Sequence, residues 1–193
     1  AIGLSLGVLV VGYLVYELLW SSPLAKRPAV AAVLSFLLIV GASWGLTRVF
    51  SGRAAFVHVG ALLGTIMAAN VAHHIIPAQR KMLAATRAGK PVDVTLGEKA
   101  RRHSIHNHYL TLPVLFTMLS SHSPATYGHP LAWLVLTLLI IVGAAGKYVM
   151  NYRGQSNRWV LAAGVAALAG VITLTARVPG SATAGPDLTG APA

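Results

Sequence analysis

Apolar positions along this chain fall in long unbroken blocks, not at the alternate spacing of strands or the 3.6-residue spacing of helices on a wet surface. A block of about 20 apolar residues matches the hydrocarbon thickness of a bilayer. Lipid offers open backbone groups no partner, so each block must close its own hydrogen bonds as a helix. The pattern predicts helices over Ala1–Trp20, Ala29–Phe50, Ala54–Ile76 (closed by Pro77), His103–Ser121, Leu131–Met150 and Trp159–Ala176. Ser21–Pro28, Ser51–Arg53 and the breaker-rich Ser121–Pro130 read as turns, with Tyr13, Tyr16 and Trp20 as interface anchors. The one long polar segment is Ala78–Arg102; within it Ala78–Ala88 reads as an interfacial helix on anionic lipid, stopped by Gly89–Pro91. Residues 178–193, rich in Pro, Gly and Ala, read as a linker. The expected fold class is all-α, a polytopic transmembrane bundle of about six helices over residues 1–177, without internal repeats.

Composition agrees. Of 193 residues, 55% are hydrophobic and only 10% charged, too little charge to cover a water-soluble domain. A membrane barrel would show alternating ten-residue segments, which the sequence lacks. The absence of cysteine excludes disulfides, zinc–thiolate sites, iron–sulfur clusters and covalent c-type haem in this chain. The net charge of +11 suits lipid headgroups and topology rather than nucleic acid. Twelve lysines and arginines fall in the loops after the first, third and fifth helices, and three (Arg48, Arg53, Arg177) on the other side. The rich side is expected to be cytoplasmic, with both chain ends opposite. Glu17 and Lys147 lie near helix ends on that side, where long side chains snorkel, and need no functional explanation. The chain starts at Ala1 in an apolar run without a basic leader segment, which reads as a piece of a longer protein rather than a signal peptide.

Eight histidines against four acids are the chemically informative feature. Ionisable groups at membrane depth are functional candidates. The topology sorts the histidines into an inner group (His73, His74, His103, His106, His108) and an outer group (His58, His122, His129). His103, His106 and Asn107 share a face at i, i+3 and i+4, whereas His108 lies off it. His106 and His122 are roughly 24 Å apart on a continuous helix and cannot serve one small site. His73 and His74 point about 100° apart. No metalloprotease-type spacing appears, and no carboxylate accompanies the histidines at membrane depth, which argues against a hard-metal site or a carboxylate relay. Haem ligation by neutral imidazole and substrate hydrogen bonding both stay open. Asn70 reads as either an interhelical hydrogen bond or a site residue.

The stretches HVGALLGTIMAANV (58–71), IIPAQRKM (75–82) and SIHNHYLTLPVLFTMLSSHSPATYGHP (104–130) resemble the membrane domain of the membrane-bound urate oxidase family, also called urate hydroxylase. The likeness covers about Arg53–Arg158 well and the flanking helices loosely. It implies a bacterial inner-membrane protein that oxidises urate to 5-hydroxyisourate in purine breakdown and passes electrons to a C-terminal cytochrome c domain or a respiratory acceptor. In that picture both ends of this chain are periplasmic, and residues 178–193 lead toward a cytochrome absent from this sequence. The chain departs from the family pattern in lacking the initial helices with a His and a W-x-G pattern, and the C-x-x-C-H haem motif. Urate is an anion near neutral pH, and the basic face would help recruit it. Electrons would then have to cross roughly 30 Å of bilayer, which implies an intramembrane relay, most simply haem b.

On this reading His106 and Asn107 are the catalytic residues, His106 as the acid/base group. Asn70, Gln79 and Tyr109 bind substrate, and His58 with His122 ligates haem; no other metal is expected. An alternative is a non-catalytic b-type haem electron-transfer subunit. A third reading, an anion transporter, would need a helix broken at mid-membrane, for which Pro113 is the candidate.

Overall fold

A computed structural model describes residues 2–152 and 157–176, so the expected linker at 178–193 lies outside the described residues. Among the described residues there are helices and turns and no strands. The long elements are α1 (Ile2–Ser21), α2 (Pro28–Val49), α3 (Gly52–Ala69), α4 (Ile76–Arg87), α5 (Val94–Ser120), α7 (Ala132–Asn151) and α8 (Arg158–Ala176); α6 (Pro124–Tyr127) is a single turn. Five helical stretches are long and apolar enough to cross a membrane: α1, α2, the 36-residue run Gly52–Arg87, α7 and α8. The fold is the expected transmembrane helix bundle.

Local chemistry sets most of the ends. Pro28 starts α2, where its missing N–H would be unpaired anyway. Asp93 caps α5 by accepting from the Thr95 N–H at 2.9 Å. That bond, with a second from the Thr95 hydroxyl, holds the Asp93 carboxyl below its usual range. Gly89, at φ 64°, supplies the left-handed residue beyond α4.

Two boundaries differ from the sequence expectation. The helix does not close at Pro77: Asn70–Ile75 forms a π-helical turn and the chain runs on into α4. A proline ring clashes with the carbonyl four residues back, and a widened turn just before it relieves that clash. α5 begins nine residues before His103, because Asp93 offers a cap that the apolar pattern does not register. α4 then packs against the π turn and the start of α5.

α3, α5 and α7 form the middle of the bundle, with α1 and α2 against α3 and α8 against α7. α5 traverses the same depth as α3: its first half lies level with Asn70, and Thr117 meets Gly60. α5, with Glu98, Lys99, Arg101, Arg102, His103 and His106 in its first half, is more polar than its neighbours and is not among those five stretches. Phe56, Val59 and Leu63 of α3 and Val135 and Leu136 of α7 are fully buried in one core cluster with Leu46 of α2. Close crossings fall at glycines, as expected where helices pack without a hydrophobic drive. A Cβ on Gly143 would sit 2.6 Å from the Pro113 nitrogen, and one on Gly60 2.8 Å from the Thr117 hydroxyl. Outward faces of α1 and α8 are apolar and exposed, with Leu18 at 73% and Val165 at 59%. Water would penalise such a surface and lipid does not.

Candidate functional site

One polar network lies where α1, the π turn and α5 meet, at the end of the bundle that carries most of the lysines and arginines. Asn70 is at its centre and fully buried. Its amide donates to the Tyr16 hydroxyl at 3.0 Å and to Asn107 Oδ1 at 2.8 Å. Its carbonyl oxygen lies 2.9 Å from His103 Nδ1. Every donor and acceptor of that side chain is therefore used, the condition for burying an amide at membrane depth. Tyr16 meets His106 Nδ1 at 2.7 Å. Asn107 donates to the Met67 carbonyl at 2.9 Å, where the α pattern gives way to the π turn.

The network assigns the tautomers. Asn70 Oδ1 can only accept, so the neutral His103 carries its proton on Nδ1. Tyr16 accepts from Asn70 and lies 3.4 Å from the His103 Nδ1–H, so the acceptor left for its own proton is His106 Nδ1, and the neutral His106 carries its proton on Nε2. His106 at rest thus presents an N–H donor at Nε2. Base action there requires a tautomer switch through Tyr16, a constraint that spacing alone does not reveal.

A second layer braces the first. His74 is buried and stacks on His103 at 3.8 Å between ring centroids, with planes 9° apart. Its Nε2 lies 2.8 Å from Glu17 Oε2, and Ser21 donates to Glu17 Oε1 at 3.0 Å. A carboxylate therefore does accompany the inner histidines, contrary to the sequence expectation: Glu17 is brought in by α1. Trp20 packs over His106 at 4.0 Å and donates to Ser35 at 3.0 Å. Tyr13 meets His73 Nδ1 at 2.8 Å. Tyr16 and Trp20 are buried in the bundle, and Tyr13 is part-exposed beside His73. The signal was present: Tyr13, Tyr16, Glu17 and Trp20 stand at i, i+3, i+4 and i+7, one stripe on an otherwise apolar helix.

The structure divides the expected site residues. It brings Asn70, His106 and Asn107 together. Tyr109 lies on another face of α5, lining an open polar pocket of about 400 Å³ with Arg101, Ser104, His108, Asn151 and Tyr152. In that pocket His108 Nε2 hydrogen-bonds Asn151 Oδ1. Gln79 is exposed on α4. Asn107 uses both ends of its amide within the protein, which suits a positioning role rather than substrate contact. Beside Tyr16, an apolar cavity of about 170 Å³ between α1, α2 and α3 is lined by Leu19, Ser35, Leu62 and Ile66 among others.

The outer histidines are arranged differently. His58 Nδ1 lies 2.7 Å from the Ala54 carbonyl, its Nε2 lies 2.8 Å from the Ser5 hydroxyl, and Phe50 stacks on its ring at 4.4 Å. His122 is exposed beyond α5, and His129 Nδ1 accepts from the Leu131 N–H at 3.0 Å. The residues present do not fit a haem between His58 and His122. Both His58 nitrogens are engaged, its face is covered, and the nearby groove of Leu4, Val8, Leu46 and Phe50 carries no polar side chain. Among the described residues no three His, Asp or Glu side chains converge as a metal site. α5 runs unbroken through Pro113, so it lacks the interrupted helix that a transporter reading asks for.

Comparison with known proteins adds one positive finding. The family model described as "Urate oxidase N-terminal" matches residues 1–176, taking in α1 to α8. No curated protein and no solved structure matches the chain.

Proposed function

The chain belongs to the urate oxidase N-terminal family, and from that premise we propose that it is the membrane part of an enzyme that oxidises urate to 5-hydroxyisourate. The observation that carries the proposal is the buried Tyr16–Asn70–His103–His106–Asn107 network at the basic end of the bundle. The members of the network come from three separate elements, α1, the π turn and α5, and converge on one buried amide. In the urate monoanion, water adds its oxygen at C5 while two electrons and one proton leave, giving neutral 5-hydroxyisourate. The protein must therefore attract an anion, hold it in one orientation and take up a proton.

Each task has residues suited to it. The basic end draws the anion from the cytoplasmic side, where the charge distribution puts it. His106 Nε2–H donates to an oxygen or nitrogen of the purine. Tyr16 and Asn70 hold the imidazole in one tautomer, and the phenol gives a route by which its proton can be exchanged. His74, backed by Glu17, can receive a proton at the rim of the cluster. The two electrons leave for a cytochrome c domain or another respiratory acceptor beyond this chain. A haem there would accept them one at a time. No step is assigned to His58 or His122.

The test is an absorption spectrum of the detergent-purified full-length protein under anaerobic conditions, with and without urate. Reduction of haem by urate, lost in His106→Ala, is the expected result. A full-length protein that binds haem and urate but shows no reduction would refute the proposal.

A further inference from the structure

Arg102 is the one described residue whose buried side-chain nitrogen has nothing to bond: its Nε is shut off from solvent and meets no acceptor. It belongs to the inner cluster. It stands four residues before His106, on the same face of α5 and about 6 Å along the axis. Its charge acts on His103, His106 and Tyr16. The one ion pair among the described residues is His74–Glu17, so Arg102 has no carboxylate partner. Glu17 is taken by His74 and Ser21, Asp93 is taken by Thr95, and Glu98 is exposed one turn earlier.

A buried N–H without an acceptor is destabilising, whereas Arg102 as a whole is only half-buried. Its two terminal nitrogens, which are open and have no protein partner, form a planar edge that matches two adjacent acceptor atoms. An oxopurine monoanion offers such an edge, a deprotonated ring nitrogen beside a carbonyl oxygen. The His106 Nε2–H supplies a further donor on the same helix face, and the Trp20 ring lies against His106.

We propose that Arg102 is the anion-pairing residue of the site, its guanidinium fork holding the acceptor edge of a planar oxopurine anion whose remaining polar atoms reach His106. This rests on the urate reading and adds to it the group that selects the charged form and sets its orientation. It also separates Arg102 from its neighbour Arg101, which lines the pocket on the α7 side.

The experiment uses the full-length protein in detergent under anaerobic conditions. Urate binding is measured by equilibrium dialysis and thermal midpoints are measured without urate. Arg102→Gln should weaken urate binding by roughly 30-fold to 100-fold, the range for a lost charge-assisted pair. Arg102→Lys should fall between, since it keeps the charge and loses the fork. Neither variant should lower the urate-free thermal midpoint, because the substitution removes an unpaired buried donor. Arg101→Gln should bind urate like the parent. The inference fails, with the urate reading intact, if Arg102→Gln binds urate normally, or if Arg101→Gln is the weakened variant. It fails also if Arg102→Gln loses midpoint and binding together while Arg102→Lys restores both fully, since that marks a structural cation. Competition by inorganic phosphate as strong as by unlabelled urate would overturn the planar-anion assignment. A parent protein that binds no urate would overturn both this inference and the proposed function.

Discussion

Replacing Asn70 with alanine removes the centre of the network without adding bulk. Three bonds go at once: those to Tyr16, to Asn107 and from His103. At ~0.6 kcal/mol per bond, the average inside membrane proteins, the loss is about 2 kcal/mol. Asn70 is fully buried, so the abandoned His103 Nδ1–H and Asn107 Oδ1 cannot turn to bulk water. Stranded groups of that kind cost ~1–3 kcal/mol each, which puts the expected destabilisation at roughly 2–6 kcal/mol. The reversible unfolding free energy in mixed micelles, compared with the parent, measures it. Turnover of urate by full-length protein should fall by about 100-fold, because Tyr16 and His103 lose the contact that sets their direction. A double-mutant cycle with Asn107→Ala isolates the pair and should give a coupling of ~0.6–1.7 kcal/mol. Additivity within ~0.3 kcal/mol, together with an Asn70→Ala loss below ~0.5 kcal/mol, would refute the network as a connected unit.

Tyr16→Phe should leave the bundle folded but lower urate kcat by roughly 10-fold to 100-fold; imidazole ¹⁵N spectra should show His106 no longer held to one tautomer, and unchanged spectra would contradict the assignment. Glu17→Ala strands the His74 N–H in a pair whose side chains are 26% and 8% exposed, so a loss of about 1–2 kcal/mol in unfolding free energy is expected, and an unshifted thermal midpoint would dismiss the pair as inert. Gly143→Val places side-chain carbon into the Pro113 backbone and should destabilise by about 1–3 kcal/mol, while Gly64→Ala, with nothing within 4 Å of its added carbon, should unfold like the parent. Equal midpoints for the two glycine variants would mean that α5 and α7 do not cross where the structure puts them.

The sequence by itself determined the helical membrane bundle, most of the helix ends and the sorting of the histidines to its two ends. Those follow from local quantities: the length of an apolar block, the inability of lipid to bond open backbone, and a rise of about 1.5 Å per residue. The resemblance to urate oxidases rested on short runs of residue order and needed no coordinates. Only the tertiary structure decided which residues face each other. Tyr16 and His106 are 90 positions apart, and no periodicity within either helix says that α1 lies against α5. The π turn is also invisible to a 3.6-residue count. It widens the helix just where Asn70 and His74 turn inward together while His73 turns out to Tyr13. Tyr109 shows the reverse limit: two positions past Asn107, about 200° around the helix, it lines another pocket with Arg101, Ser104 and His108. Depth is set by counting along one helix, whereas a site is set by the rotation and pairing of several, and those depend on packing that only the folded chain supplies.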